Sequence, residues 1–169
     1  MMTDARRILK VNDSLLLGGG SNFADFQYLQ GVVEDTSRNY GLPMDALSLQ
    51  TFLRKGLYNR FIKEKALRID LLLAGMHNDL PYLCRMDHRG YTIQERVAAT
   101  GLVANMVLPF LKNELAKTNI LDEKMARELL RRSMEILYKR HTLAHPKYYV
   151  GVVDECGVKL GKDSLLLNV

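Results

Sequence analysis

The sequence predicts an α+β layered sandwich of antiparallel sheets, and the order of its segments supports this fold class. Strand pairs separated by short turns are predicted at the beginning, in the middle and at the end of the chain. Helices are predicted in consecutive pairs between these hairpins, whereas a parallel sheet alternates single strands with single helices. The 169 residues, 47% of them hydrophobic and 25% charged, suffice for one core. We therefore expect a single domain over residues 1–169, with two inner sheets and a helix pair on each outer side.

The first hairpin is predicted over residues 7–18, with a turn signal at Asn12-Asp13. Three glycines, Gly18–Gly20, then lead into a helix predicted over residues 22–40. Backbone amides at such a junction can bind phosphate, or glycines can simply let a strand and a helix approach closely. A phosphate loop needs Lys-Ser or Lys-Thr after its last glycine, whereas Ser21-Asn22 follows here. The sequence favours packing, and a phosphate- or nucleotide-binding α+β enzyme stays the alternative.

The middle of the chain predicts one more helix and three strands. The helix shows apolar residues at helical spacing, which are Leu49, Phe52, Leu53, Leu57 and Phe61. Strands are predicted at 67–76 and 80–86, with a turn at 77–79 between them. A further turn at 87–90 precedes an extended segment over residues 91–99.

The second half predicts two helices and a final hairpin. The first helix spans residues 101–116, with a kink expected at Pro109, and Asp122 is predicted to cap the second. Leu121 is placed to pack onto Ala126. The predicted buried positions of the two helices are Val103, Met106, Val107, Phe110, Leu111, Ala126, Leu129, Leu130, Ser133, Ile136 and Leu137. Strands at 148–153 and 158–162 form the hairpin.

Composition argues against several function classes. Two cysteines, Cys84 and Cys156, are expected to be reduced and buried, and the four histidines lack metal-ligand spacing, so neither a metal nor a cofactor is predicted. The net charge of +5 comes from scattered basic residues, which makes a small nucleic-acid-binding module a weak alternative. We find neither a signal peptide nor a membrane span, and therefore expect an intracellular protein without membrane or nucleic-acid partners.

The ordered segments resemble a β-type subunit of the 20S proteasome core. The resemblance covers residues 6–162, and its motifs are Ala24-Asp25-Phe26-Gln27, Leu71-Leu72-Leu73-Ala74-Gly75, Tyr82-Leu83-Cys84-Arg85-Met86-Asp87, Ala99-Thr100-Gly101 and the helix Glu128–Arg140. The segments 6–12 and 25–29 are most similar to the non-catalytic seventh β position.

This resemblance implies an Ntn-hydrolase-like, four-layer αββα sandwich of antiparallel sheets. It also implies assembly with other α- and β-type subunits into a 28-subunit α7β7β7α7 particle of the cytoplasm and nucleus. The chain would help to form the ring that encloses the proteolytic chamber for ubiquitin-dependent degradation. The family's first two strands and their leading threonine would lie before the start of this sequence, so we expect a version truncated at the N-terminus.

The residues that carry catalysis in the family are changed here, as the resemblance implies. Catalytic members use an N-terminal threonine, which its own amine helps to activate. Thr3 is out of register with that threonine, and the active-site lysine falls on Arg7, which stays protonated. The supporting aspartate and serine fall on His141 and Ala144. Val103 and Ala104 replace a glycine and a serine of the loop before the third helix, so we expect an inactive subunit.

A basic stretch of the last helix is the candidate contact between rings. It contains Arg131, Arg132 and Lys139, and the resemblance implies that this helix faces the opposite ring. The same residues also fit an ordinary solvated helix face, which stays the alternative.

Overall fold

The structure is a computed structural model, and it describes residues 6–40, 44–101, 104–118, 122–141 and 145–164. The elements, in chain order, are β1 Ile8–Asn12, β2 Leu15–Ser21, α1 Phe23–Tyr40, α2 Ala46–Ile62, β3 Ile69–His77, β4 Leu80–Met86, β5 Thr92–Gln94, α3 Ala104–Ala116, α4 Glu123–Arg140, β6 Lys147–Asp154 and β7 Gly157–Ser164. This order agrees with the predicted α+β class. The predicted strand at 91–99 is much shorter, since only three of its residues pair with β4.

The first five strands form one antiparallel sheet in the order β1-β2-β3-β4-β5. Asn12 organises the first turn, because its side-chain oxygen accepts hydrogen bonds from the Ser14 amide at 2.9 Å and the Ser14 hydroxyl at 3.0 Å. Asn78 and Asp79 form the turn between β3 and β4 with φ of 50° and 59°, a conformation that these residue types tolerate. Turn chemistry readable in the sequence therefore sets the register of the β1–β2 and β3–β4 pairings.

Helices α1 and α2 cover one face of this sheet and form the main core with it. Asp45 starts α2, since its carboxylate accepts a hydrogen bond from the Ser48 amide at 2.7 Å. Residues of β3 alternate, and Ile69, Leu71 and Leu73 turn inward. The buried members of this main core are Leu9, Leu15, Leu17, Phe26, Leu29, Val33, Ala46, Leu49, Leu53, Leu57, Leu67, Ile69, Leu71, Leu73, Tyr82, Cys84 and Met86.

Strands β6 and β7 form a separate antiparallel pair that lies against the other face of the large sheet. β6 contacts β2 and β3, and β7 contacts β1. A Cβ on Gly151 would lie 2.6 Å from Leu16 Cδ1, so the two sheets approach closely at this glycine. The two sheets are therefore the adjacent inner layers that the sequence predicted.

Helices α3 and α4 pack on each other around a small second cluster. Asp122 caps α4 as predicted, with its carboxylate accepting from the Met125 amide at 2.7 Å. The buried apolar residues of this second cluster are Val107, Leu111 and Leu129. Pro109 lies inside α3, and the kink expected there stays a prediction, whereas Val103 and Leu121 fall outside the described residues.

Several positions predicted to be buried are exposed. Phe61 is 40% exposed, Met106 44% and Leu130 50%. Cys84 is buried as expected, but Cys156 is exposed, because it lies in the tight turn between β6 and β7. Hydrophobic periodicity alone does not show whether an apolar side chain on a helix faces a neighbouring layer or solvent.

None of the described helices combines the length and the apolar content that a bilayer crossing requires. Within the same ranges, no three His, Cys, Asp or Glu side chains are grouped as they would be to hold a metal ion.

Candidate functional site

The glycine junction is part of a strand rather than a loop. Gly18–Gly20 pair with residues 70–72 of β3 along the sheet. A Cβ on Gly19 would lie 2.1 Å from Phe26 Cδ2, and one on Gly20 would lie 2.8 Å from the Gly101 nitrogen. These distances show that the glycines make room for α1 and for the chain before α3.

The N-terminus of α1 is capped from within the chain. The side-chain oxygen of Asn22 accepts a hydrogen bond from the Ala24 amide at 2.9 Å. Asp25, in the first turn of the helix, accepts from the Arg68 amide at 2.7 Å. The residues around the glycines therefore support the packing interpretation over a phosphate site.

Arg7 stands just before β1 and joins the end of β2 to the start of α1. Its Nη1 donates to the Ser21 carbonyl oxygen at 3.0 Å, and its Cζ lies 5.2 Å from the centre of the Phe23 ring. A guanidinium stays charged over the whole physiological range, and in this position it binds a carbonyl and an aromatic ring. Arg7 thus has a structural role in the chain.

Two further positions that the resemblance aligns with catalytic residues of the family lie at the ends of α3 and α4. His141 ends α4, and its amide donates to the Leu137 carbonyl at 2.9 Å. Ala104 begins α3 and is buried. Thr3, Val103 and Ala144 lie outside the described residues.

Arg131 is held by acids of its own helix. Its Nε and Nη2 donate to the two carboxylate oxygens of Glu128 at 2.8 and 2.7 Å, and Nη1 donates to Glu135. The hydrogen bonds from Arg131, more than its charge, lower the pKa of the Glu128 carboxyl. The same hydrogen bonds are the largest cause of a raised pKa of Arg131. The charge of Arg131 is therefore largely compensated within α4.

Arg132 and Lys139 differ from Arg131 in their surroundings. Arg132 reaches α3, where its Nη1 donates to Glu114 at 3.3 Å and its Cζ lies 5.0 Å from the Phe110 ring centre. Lys139 is exposed and forms no ion pair within the described ranges. Of the three predicted contact residues, Lys139 alone thus presents a charge that the described residues leave uncompensated.

An apolar cleft, which no sequence motif indicated, opens between the second cluster and the two-stranded sheet. Its volume is about 360 Å³, and Leu111, Leu130 and Leu137 of α3 and α4 line one side while Tyr149 and Gly151 of β6 line another. β6 pairs with β7 along one edge and with no other described strand. Exposed apolar surface beside an open strand edge is typical of a region that contacts another segment or another chain.

Comparison with known proteins identifies the family. The family model described as "Proteasome subunit" matches residues 1–153. The chain belongs to the proteasome β-type subunit family. It is 35% identical over 161 residues to proteasome subunit beta type-4 of Drosophila melanogaster, an alignment that covers 90% of the chain and 60% of the relative.

Two further relatives extend the comparison. Proteasome subunit beta type-4 of Xenopus laevis is 28% identical, over 91% of the chain and 66% of that protein. A probable proteasome subunit beta type-7 of Schizosaccharomyces pombe is 28% identical, over 95% of the chain and 64% of that protein. The chain thus spans roughly two thirds or less of the length of these relatives.

Family membership gives the geometry its context. The α+β fold with antiparallel sheets is that of an Ntn-hydrolase-like sandwich, and members of this family assemble with other proteasome subunits. In such a protein, an apolar cleft and an open strand edge are candidate contact surfaces.

Proposed function

We propose that the chain is a non-catalytic, structural β-type subunit of the 20S proteasome core particle. It occupies the seventh β position of a 28-subunit hetero-oligomer of the cytoplasm and nucleus. There it helps to form the ring that encloses the chamber for ubiquitin-dependent protein degradation. The beta type-7 name of the Schizosaccharomyces pombe relative and the resemblance of residues 6–12 and 25–29 support the position, whereas the Drosophila and Xenopus relatives are named beta type-4.

The surroundings of Arg7 carry the proposal that the subunit is inactive. A lysine that assists an N-terminal threonine must interact with the nucleophile, and burial can shift its pKa toward neutrality. Arg7 remains protonated, and its guanidinium binds the Ser21 carbonyl and the Phe23 ring. A permanently charged group held by these partners is suited to joining β2 to α1 rather than to exchanging protons.

The part of the chain formed by α3, α4, β6 and β7 supports a role inside an assembly. The open edge of β6 and the apolar cleft beside it leave surface that a monomer would expose to water. Interfaces of obligate assemblies bury thousands of Å² and are more apolar than ordinary protein surface. Neighbouring subunits in a ring would cover this surface, which supports the proposed role.

Two measurements test the proposal, both made on the tagged chain expressed in cells of the organism that encodes it. We expect the chain to elute with a particle of 28 subunits. Native mass spectrometry should find two copies per particle, one for each β ring. We also expect no adduct on this chain when the particle is treated with a threonine-directed epoxyketone, while catalytic subunits of the same particle are labelled and serve as the control.

Each half of the proposal can fail separately. A chain that elutes only as a free monomer contradicts the structural role. A covalent adduct on any of its residues contradicts the inactivity. For the phosphate-binding alternative, a melting temperature that rises with nucleotide concentration would be the supporting result.

A further inference from the structure

A second groove lies on the outer side of α2, away from the cleft described above. We call it the cationic groove, and it is formed by Arg54, Lys55 and Tyr58 of α2 and by Arg89 and Tyr91 of the turn before β5. Its volume is about 560 Å³. All five side chains are exposed, with Tyr58 at 54% and Tyr91 at 66%.

The turn that forms one wall of the groove is held rigidly. Asp87 Oδ1 accepts hydrogen bonds from the Arg89 amide at 2.9 Å and from the Tyr91 amide at 2.8 Å. The Asp87 amide in turn donates to the Tyr91 carbonyl at 3.0 Å. The Asp87 carboxylate is thus engaged by backbone amides, and it fixes the backbone from which Arg89 and Tyr91 project.

Gly90 brings this turn against α2. Its φ is +82°, and a Cβ at this position would lie 2.6 Å from the Arg54 carbonyl oxygen. Only glycine combines this backbone conformation with so close an approach. The spacing between the two walls of the groove is therefore set by the fold before any partner binds, which lowers the entropic cost of binding.

The three cations of the groove lack acidic partners. Arg54, Lys55 and Arg89 form no ion pair within the described residues, and no described Asp or Glu lines the groove. Arg89 is positioned instead by aromatic contacts, with its Cζ 5.4 Å from the Phe61 ring centre. Arg131, which binds two acids of its own helix, shows how the same chain compensates a guanidinium elsewhere.

Charge complementarity and residue type together indicate the occupant. Arg and Tyr are enriched among the residues that dominate binding at protein interfaces. Three uncompensated cations need anionic partners when they are buried, because an unpaired buried charge is costly. A nucleic acid is less well matched, since a backbone-tracking site needs a longer basic surface than three residues provide.

We propose that the cationic groove binds an Asp- or Glu-rich segment of a neighbouring proteasome subunit. The inference rests on the proposed incorporation of this chain into the particle, and goes beyond it by naming the surface and the chemistry of the partner.

Site-specific photo-crosslinking in the assembled particle tests the proposal. Tyr91 is replaced by p-benzoylphenylalanine in tagged chain, particles are purified and irradiated, and crosslinked peptides are identified by mass spectrometry. We expect crosslinks to one segment of another subunit that carries at least two Asp or Glu residues. The same substitution at Leu130 on α4, which is 50% exposed, should give a different set of partners.

Charge variants decide whether the cations are responsible. Arg54→Glu/Arg89→Glu should lower the yield of the Tyr91 crosslink about tenfold at equal particle content. Lys63→Glu/Lys65→Glu, which reverses two exposed lysines beyond the end of α2, should leave the yield unchanged. If the reversed chain is not incorporated, the neutral Arg54→Gln/Arg89→Gln variant replaces it and should show a loss in the same direction.

The outcomes are distinct. Particles that contain the chain but give crosslinks only to segments without acids, to nuclease-sensitive material or to nothing overturn the groove proposal alone. Crosslinks that persist in both arginine variants also overturn it. A chain that is absent from the particles refutes the proposed function, and the partner named here with it.

Discussion

The two regions of the chain differ in how much of their own apolar surface they bury. In the region of β1–β5, α1 and α2, a helix pair covers the sheet, and the described residues include seventeen in one buried cluster. In the region of α3, α4, β6 and β7, the corresponding cluster contains three buried residues beside an open cleft. The first region can be stable by its own packing, whereas the second needs further contacts to exclude water.

Helix α4 contributes Leu129 to the second cluster and carries exposed ion pairs elsewhere on its surface. The ion pairs have helical spacing: Arg127 pairs with Glu123, and Arg131 pairs with both Glu128 and Glu135. Such exposed pairs contribute little individually, so they do not replace a larger buried core. If the chain is incorporated as proposed, the second region is the part whose packing an assembly partner would complete.

The largest expected effect is the cost of removing a leucine from the main core. Leu57→Ala should lower the free energy of unfolding by about 2–5 kcal/mol, because Leu57 is 1% exposed and its removal leaves an enclosed cavity. Leu111→Ala should cost less, about 2 kcal/mol, since Leu111 is buried but borders the open cleft, so that mainly transfer free energy is lost. Urea unfolding followed by circular dichroism measures both. Equal losses at the two positions would mean that the second region is as tightly packed as the first.

A glycine comparison between the two sheets should give the next largest effect. Gly19→Ala should destabilise the chain by about 3 kcal/mol, because the new Cβ would lie 2.1 Å from the buried Phe26 ring. Gly161→Ala in β7 is the matched control, since a Cβ there meets nothing within 4 Å. If the two alanine variants unfold at the same urea concentration, the glycine junction does not require close packing.

Turn and cap signals allowed the sequence to predict most of the fold. Asn12-Asp13, Asp122 and the turn at 77–79 act through local hydrogen bonds and backbone conformation, which do not depend on distant parts of the chain. The pairs of strands and helices that they separate were therefore found with nearly correct bounds.

Properties that depend on distant contacts were predicted less well. Leu130 and Met106 have helical spacing typical of a buried face, yet both are exposed among the described residues. The sequence also named Arg131 as a contact residue, but Glu128 and Glu135, one turn away on either side, compensate its charge. An i, i+4 charge count along this helix would have revealed that compensation. The cationic groove was missed because it joins α2 to a turn about thirty residues later, a proximity that only the fold creates.

At alkaline pH, tyrosines of the two regions should contribute differently to the free energy of unfolding. Burial raises the pKa of Tyr82 to about 12, and the nearby Cys84 thiol adds to the shift. The folded state therefore favours the neutral phenol, so this contribution is fully present below about pH 10 and is lost as the pH rises to about 12. The full loss is at most about 2.7 kcal/mol for a shift of about two units.

Substitution by phenylalanine measures this contribution. The free energy of unfolding of Tyr82→Phe should fall less steeply than that of the wild type between pH 10 and 12. Tyr148→Phe in β6 should change the slope less, although burial also raises the pKa of Tyr148 and the neighbouring Asp163 adds to it. A slope that is unchanged in Tyr82→Phe would mean that the Tyr82 phenol is accessible to solvent.

The smallest effect on stability, and the most selective effect on assembly, is expected from Lys139. Charge reversal of Arg131 would place a third acid between Glu128 and Glu135, so a loss of ring pairing in that variant could reflect a weakened helix. Lys139 forms no ion pair within the described ranges, and Lys139→Glu should lower the stability only slightly, by about 1 kcal/mol or less, because it places an acid in the last turn of α4. If α4 faces the opposite ring, this variant should still form half-particles but pair them less completely, which native gels measure. Lys124→Glu reverses a charge at the other end of the same helix, where the dipole favours an acid, and controls for charge reversal on α4 away from residue 139. Normal pairing with Lys139→Glu would show that this end of α4 is a solvated surface rather than a contact between rings.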